Sequence, residues 1–220
     1  MLRFDNVVQA GANEVLSRKH PLYGRWAEDF FSRPSPLILE LGCGKGEYTV
    51  ELAGMFPEKN FLGVDIKGAR IWKGAKHALE NSLGNAGFLR TRIEFISSFF
   101  APGEVEQIWL TFPDPQPGKA RKRLTSPLFL NRYRNFMMQG GEIHLKTDSA
   151  GLYEYTLAVI RHNRLELLHS TRDLYGAGPP GDVLSIRTYY EKQFLSEGKP
   201  ISYLRFRIDS REEIQEPDED

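Results

Sequence analysis

Cysteine is nearly missing from this 220-residue chain: Cys43 stands alone. No intrachain disulfide can form. The five histidines are scattered, so no stretch has the spacing of a metal site. Long apolar runs are lacking too. A membrane-spanning helix needs roughly 20 consecutive apolar residues, and nothing here approaches that. The opening Met1-Leu2-Arg3-Phe4-Asp5 has no apolar signal core. These absences predict a cytoplasmic protein with no membrane partner. A surplus of charge is also absent. The 29 basic residues meet 29 acidic ones, which excludes a uniformly basic nucleic-acid binder. Repeats and low-complexity segments are missing. What remains is an ordinary globular composition, 40% hydrophobic and 26% charged, long enough for one sizeable α/β domain. A monomer and a homodimer fit it equally.

The even balance of charge hides a segregation. From Pro115 to Gly141 there is no acidic residue, while Lys119, Arg121, Lys122, Arg123, Arg132 and Arg134 are basic. The C-terminus is the reverse, with Glu212, Glu213, Glu216, Asp218, Glu219 and Asp220. A solvated, frayed tail is the expectation there. The alternative is a tail that competes with an anionic ligand for the basic segment.

Periodicity divides the chain into an N-terminal appendage, residues 1–36, a main domain, 37–210, and an acidic tail, 211–220. The appendage reads as partly helical and ends at Pro34-Ser35-Pro36. From Leu37 strands alternate with helices. Strands are predicted at 37–41, 60–65, 93–96, 107–112, 142–146, 165–169 and 202–208. Helices are predicted at 47–56, 68–82, 127–138 and 152–162, the third opening on Pro127. Such alternation predicts an α/β fold: a mainly parallel seven-stranded sheet with helices on both faces.

The first strand, Leu37-Ile38-Leu39-Glu40-Leu41, runs into Gly42-Cys43-Gly44-Lys45-Gly46 and then a helical pattern. Strand, glycine turn and helix form the ligand-cradling corner of an open α/β sheet. Glycines let the backbone approach a ligand where a Cβ would collide. The spacing is G-x-G-x-G. A dinucleotide fingerprint, G-x-G-x-x-G, would need glycine where Glu47 stands, which disfavours an NAD-linked dehydrogenase. With Glu40 two positions before the first glycine, the run resembles motif I of Rossmann-like S-adenosylmethionine-dependent methyltransferases. Cys43 has no base near it in sequence and is not read as a nucleophile. Ligands in such sheets bind outside the carboxyl ends of the strands. Asp65 closes the second strand and is placed to accept from two ribose hydroxyls. Ser97-Ser98, Pro113-Asp114-Pro115 and Thr147-Asp148 close others. Helix capping accounts for some of these polar groups, but not for Asp114 between two prolines.

Three prolines in five residues, Pro113, Pro115 and Pro117, stiffen the loop that carries Asp114. The basic run Lys119-Ala120-Arg121-Lys122-Arg123 follows, a combination suited to a phosphate-bearing substrate. Its alternative is a solvated basic loop. With Asn60-Phe61-Leu62-Gly63-Val64-Asp65, Gly140-Gly141-Glu142-Ile143-His144-Leu145-Lys146-Thr147-Asp148 and Thr188-Tyr189-Tyr190-Glu191, this chain resembles the bacterial tRNA (guanine-N7-)-methyltransferase family. The resemblance covers about residues 35–208.

That resemblance implies S-adenosylmethionine as cofactor, tRNA as partner and a variable-loop guanosine as acceptor. It implies cofactor contacts from Glu40, Gly42, Gly44, Asp65, Ser97 and Asp114, with Asp114 the essential acid at the reaction centre. Lys119, Asp148, Thr188, Tyr189, Tyr190 and Glu191 would meet the substrate. Arg121, Lys122 and Arg123 would meet tRNA phosphates. No metal is implied. The chain departs from many relatives at Ser97, where an acid is common, at Gln116, where tryptophan is common, and at Gly118, where lysine is common. Tyr189 and Tyr190 read either as core or as stacking partners for an unpaired base. Trp72 and Trp109 read as core, and His77, His144 and His169 as structural. Two other classes share some of these features. A methyltransferase for a small molecule or protein would not need the basic run. A noncatalytic RNA-binding protein would not need Glu40, Gly42, Gly44 and Asp65 together.

Overall fold

The computed structural model describes residues 4–11, 20–176, 178, 181–209 and 212–217. The chain forms two compact units. The first is Met1–Trp109 with Phe136–Met138, and the second is Leu110–Asn135 with Gln139–Asp220.

The first unit contains β1 (Val7–Gln9), β2 (Leu37–Leu41), β3 (Asn60–Asp65), β4 (Ala86–Arg90) and β5 (Val105–Thr111), whose last two residues count with the second unit. The order is β1-β4-β3-β2-β5, and every pairing is parallel. Parallel strands are covered on both faces and so read as continuous apolar runs. β2 and β3 fit that description, buried at every position. Helices α1 (Glu47–Met55) and α2 (Gly68–Glu80) complete the βαβ units. α2 buries Ile71, Ala75 and Ala78 but leaves Leu79 outside. Leu79 lies about 80° round the helix from Ile71, past the edge of the apolar stripe.

The sequence predicts a strand at Ile93–Ile96. The structure instead has β4 at Ala86–Arg90 and a 3₁₀ turn at Ile93–Ser98. Gly87 makes the strand hard to recognise, since glycine inside an apolar run reads as a break. Here its bare backbone admits the Phe30 ring, which an added Cβ would meet at 2.3 Å.

The N-terminal residues are woven into this unit. β1 pairs with β4 and makes an eighth strand where the sequence predicts seven. A π-helical turn at Trp26–Phe30 buries Trp26, whose Nε1 donates to the Phe99 carbonyl at 2.8 Å. Of the appendage read as partly helical, residues 1–3 and 12–19 lie outside the described residues. The Glu104 carboxylate accepts from three backbone amides, Gly24, Trp26 and Ala101, at 3.0, 3.1 and 2.8 Å. Burial pushes its pKa up, against the pull of those amides.

The second unit contains α3 (Pro127–Tyr133), β6 (Met137–Thr147, its first two residues counting with the first unit), α4 (Ala150–His162), β7 (Leu167–Thr171), α5 (Tyr189–Ser196) and β8 (Ser202–Arg207). Its strands run β6-β8-β7, both pairings antiparallel. Pro127 opens α3 as predicted, but the helix stops at Tyr133 and β6 begins well before Glu142. Gly140-Gly141 reads as a helix stop, whereas both residues lie within the strand. Gly140 adopts φ +76° and donates its N–H to the Asp209 carboxylate at 3.0 Å.

The described part of the tail, residues 212–217, is docked rather than frayed. Ile214 is 2% exposed. Asn131 brackets it, donating to the Ile214 carbonyl at 2.8 Å and accepting from its N–H at 3.0 Å. Asn163 brackets Gln215 in the same way, at 2.8 and 2.7 Å. Two asparagine side chains thus replace a strand partner for this backbone, while Glu212 and Glu213 face solvent. Asp218, Glu219 and Asp220 lie outside the described residues.

Replacing Glu104 by Ala strands three amide donors. The expected loss is about 2 kcal/mol of folding stability in urea titration, with a smaller loss for Glu104→Gln, which keeps one acceptor oxygen.

Candidate active site

The glycine turn of the first unit is held from below and open above. Gly42 and Cys43 both donate to the Val64 carbonyl, at 2.8 and 3.1 Å, and Gly46 donates back to Cys43 at 2.8 Å. Gly42, Gly44 and Gly46 have φ of +79°, +56° and +71°. A Cβ added at Gly42 or Gly44 would meet nothing within 4 Å, whereas at Gly46 it would strike the Phe88 ring at 2.4 Å. The first two glycines therefore leave room for a ligand, and the third packs the turn against the sheet.

Two acids frame this turn. Asp65, at the end of β3, accepts from Gly44 N–H through Oδ2 at 3.0 Å and from Lys67 N–H through Oδ1 at 2.7 Å. It fixes the turn and the start of α2 together. Glu40 is 3% exposed, and its Oε2 accepts from both the amide and the hydroxyl of Thr49 in the first turn of α1. A carboxylate there faces the positive end of the helix dipole. Ser97 is half-buried in the 3₁₀ turn after β4 rather than at a strand end. Cys43 is buried, and its thiol pKa is raised well above the ordinary range by that burial and by the nearby charges of Glu40 and Asp65. It remains a neutral thiol, in keeping with its reading as a non-nucleophile. Glu40, Gly42, Gly44 and Asp65 thus come together around a turn whose first two glycines leave open space, an arrangement that suits a nucleoside-bearing cofactor.

The proline turn of the second unit is strained at both shoulders. Phe112 and Gln116 adopt φ of +51° and +46°. Left-handed backbone in a residue with a Cβ costs on the order of 1–3 kcal/mol, and such residues cluster at functional sites. The surroundings hold Phe112 there. Its N–H donates to the Lys146 carbonyl at 2.8 Å, and its ring lies 5.7 Å from that of Phe194. Between the shoulders Asp114 is exposed, with Oδ1 accepting from Gln116 N–H at 3.0 Å. The rigid turn therefore presents a solvated carboxylate in a fixed place. Lys119, Arg121 and Lys122 are exposed beyond it, and Arg123 is half-buried.

The Thr188–Glu191 segment is N-cap and first turn of α5. Thr188 is 8% exposed, and its hydroxyl caps the helix by accepting from Glu191 N–H. Tyr189 and Tyr190 are 53% and 40% exposed, which removes the core reading for both. Their rings meet edge to face at 5.5 Å. Glu191 is wholly buried. It pairs with Lys146 Nζ at 2.8 Å and accepts from the Tyr175 hydroxyl at 2.7 Å. Lys146 also donates to the carbonyls of Leu184 and Ile186, at 3.2 and 3.0 Å. Of the predicted substrate contacts, then, the tyrosines present surface and Glu191 presents none. The buried charge of Lys146 needs an anion, and Glu191 supplies it. Asp148 is half-buried just past the end of β6. His144 is buried and shares a 2.8 Å hydrogen bond with the Tyr203 hydroxyl, a structural setting.

Sequence reasoning passes over Lys146 and Tyr175. A lysine between Leu145 and Thr147 in an apolar strand was the available signal for the first. Tyr175 lies in a Gly/Pro-rich loop with no spacing to link it to Glu191.

Comparison with known proteins decides among the readings left open. A family model described as "Putative methyltransferase" matches residues 34–204. A tRNA (guanine-N(7)-)-methyltransferase from Christiangramia forsetii is 50% identical over 209 residues, covering 94% of this chain and 93% of that protein. The enzyme of the same name from Porphyromonas gingivalis is 54% identical over 200 residues, covering 90% and 82%.

The chain belongs to the tRNA (guanine-N7-)-methyltransferase family.

Its activity is accordingly methyl transfer to guanine N7 of tRNA. The fold agrees. The crystal structure of the 16S rRNA methyltransferase KamB superposes with a TM-score of 0.64 at 15% identity, covering 86% of this chain and 95% of that one. This is the α/β fold of Rossmann-like methyltransferases. Among the described residues no helix is long and apolar enough to cross a membrane, and no group of His, Cys, Asp and Glu could hold a metal ion.

Replacing Lys146 by Met leaves the Glu191 charge buried and alone. The expected destabilisation is roughly 3–5 kcal/mol, and Lys146→Met/Glu191→Leu recovers most of it. Burial lowers the Lys146 pKa from 10.5. In the window between that lowered value and 10.5 the unfolded chain holds the extra proton. Wild-type stability relative to the double variant should therefore rise with pH there, which urea titrations at stepped alkaline pH will show.

Proposed function

We propose that this protein methylates N7 of a guanosine in the tRNA variable loop, with S-adenosylmethionine as donor and Asp114 as the acid at the reaction centre. The observation that carries the reading is the strained, proline-framed turn that fixes a solvated carboxylate beside a basic run. Glu40, Gly42, Gly44, Asp65 and Ser97 would hold the donor. The donor supplies an electrophilic methyl group on a sulfonium.

Guanine N7 carries an in-plane lone pair and no proton, so no general base is required. The protein's tasks are alignment and electrostatics. Alignment of an acceptor contributes several kcal/mol, on the order of 7 where the geometry is ideal. Methylation leaves positive charge on the purine, and a preorganised carboxylate favours that charge. Two roles fit an acid here: stabilising the developing purinium, or gripping the guanine N1–H and exocyclic amine. The second calls on both oxygens together. Asp114 Oδ1 accepts from Gln116 N–H, which fixes the carboxylate for either role. Tyr189 and Tyr190 offer exposed rings for an unstacked base. Asp148 completes the substrate contacts, with Thr188 and Glu191 shaping the helix that carries the tyrosines. Lys119, Arg121 and Lys122 would contact tRNA phosphates.

Transfer of labelled methyl from S-adenosylmethionine to unmodified bulk tRNA, followed by nucleoside analysis, tests the reading. N7-methylguanosine at the variable loop is expected. Asp114→Ala should lower methyl transfer by about a hundredfold or more, in line with loss of an electrostatic group at a reacting centre, while calorimetry shows donor affinity retained. Wild-type turnover in Asp114→Ala would end the assignment. Replacing Lys119, Arg121 and Lys122 by Gln should weaken tRNA binding and flatten its dependence on log salt by about 0.7–0.9 for each phosphate no longer neutralised. An unchanged slope would make the run a merely solvated loop.

A further inference from the structure

We propose that Arg123 is a positioning residue for the Asp114 turn, held in place by the docked C-terminal tail, and not a phosphate contact. The inference rests on the reading of Asp114 above.

The second unit contains an unbroken line of interactions from tail to turn. Ile214 and the two asparagine brackets fix the tail backbone. From that backbone the Glu216 carboxylate accepts from the Tyr155 hydroxyl at 2.7 Å. The Arg123 guanidinium carbon lies 4.2 Å from the centre of the Tyr155 ring. Arg123 Nε then donates to the Pro115 carbonyl at 3.1 Å. Pro115 is the residue after Asp114.

The chemistry of each member suits this order. Pro115 has no N–H, so its carbonyl is the only backbone group through which the turn can be gripped at that residue. Arginine fills the role through its planar shape: one edge donates while the face stacks on an aromatic ring. Lysine has the charge but neither the face nor the fixed Nε–H. The phenol that accepts more charge from Glu216 offers a more electron-rich face to the cation. Burial raises the Tyr155 pKa, and the Glu216 contact adds to that, so the hydroxyl stays protonated as the donor. Arg123 is half-buried, whereas Arg121 and Lys122 beside it are exposed. Of the four basic residues of the run, one is turned inward and three face out.

The tail also has a chemical reason to be acidic. Glu216 adds negative charge behind Tyr155 and so favours a cation on its ring. Competition with tRNA for the basic run would need acids at Arg121 and Lys122, and the Glu216 carboxylate bonds instead to the Tyr155 hydroxyl.

Steady-state methyl transfer and tRNA binding across salt, measured on Arg123→Lys, Arg123→Gln, Tyr155→Phe and Glu216→Ala, test the proposal. Both Arg123 variants should lose about tenfold in kcat, the worth of one good hydrogen bond in a transition state. Donor affinity and the salt slope of tRNA binding should be unchanged. Tyr155→Phe keeps the ring and removes the hydroxyl, and should lower kcat about threefold, as should Glu216→Ala. Wild-type activity in Arg123→Lys, with a salt slope lowered by about 0.7–0.9 in Arg123→Gln, would make Arg123 a phosphate contact and overturn the proposal. Wild-type kcat in both Tyr155→Phe and Glu216→Ala would overturn the part played by the tail. Asp114→Ala run alongside separates the two readings. If it is fully active the Asp114 assignment fails, whereas the contrast between Arg123→Lys and Arg123→Gln reports on Arg123 regardless.

Discussion

One lysine organises the second unit. Lys146 lies within a strand and has no exposed surface, so its ammonium must be satisfied from inside. It takes Glu191 from α5 and two carbonyls from the 3₁₀ turn near Leu184. Its own carbonyl accepts from Phe112 at the shoulder of the proline turn. Two of the segments that carry the family resemblance, F-P-D-P and T-Y-Y-E, are thereby tied to a single residue. Removing water from such a pair is expensive, so the pair is weak evidence of stability and better evidence of specificity. An ion pair whose side chains hold three further hydrogen-bond partners tolerates one arrangement. A hydrophobic cluster of equal volume would tolerate several, and the shoulders of the turn would drift with it.

Much of the fold was legible. Leu37–Leu41 and Asn60–Asp65 fall where the apolar runs place them, because parallel strands covered on both faces have no reason to alternate. β4 was harder to see, since Gly87 and Ala86 look like the end of a segment. The bare backbone of Gly87 is what lets Phe30 reach the sheet. β1 is three residues long and draws its stability from β4, a partner about 80 residues away, so no local pattern could announce it. The docked tail was misread for a related reason. Its acids describe a solvated strip, but its placement depends on Ile214 and on asparagines far along the chain.

The candidate site was legible in kind and less so in detail. The glycine turn, Asp65 and Asp114 follow from spacing and from proline's effect on the backbone. The roles of Glu191 and Arg123 do not, because charge alone does not say whether a side chain faces water. Glu191 is turned inward by a buried lysine, and Arg123 by a tyrosine ring. In both cases the deciding partner lies more than 30 residues away, beyond any motif.

Cys43 gives the glycine turn a further property. Burial does most to keep its thiol protonated, and the charges of Glu40 and Asp65, the two carboxylates that fix the turn, add to that. A thiolate in that position would be the strongest nucleophile in the neighbourhood, and a neutral thiol is a poor one. The acids that shape the turn therefore also keep it chemically inert. With the methyl donor held there as proposed, the enzyme would carry sulfur in that corner without becoming its own acceptor.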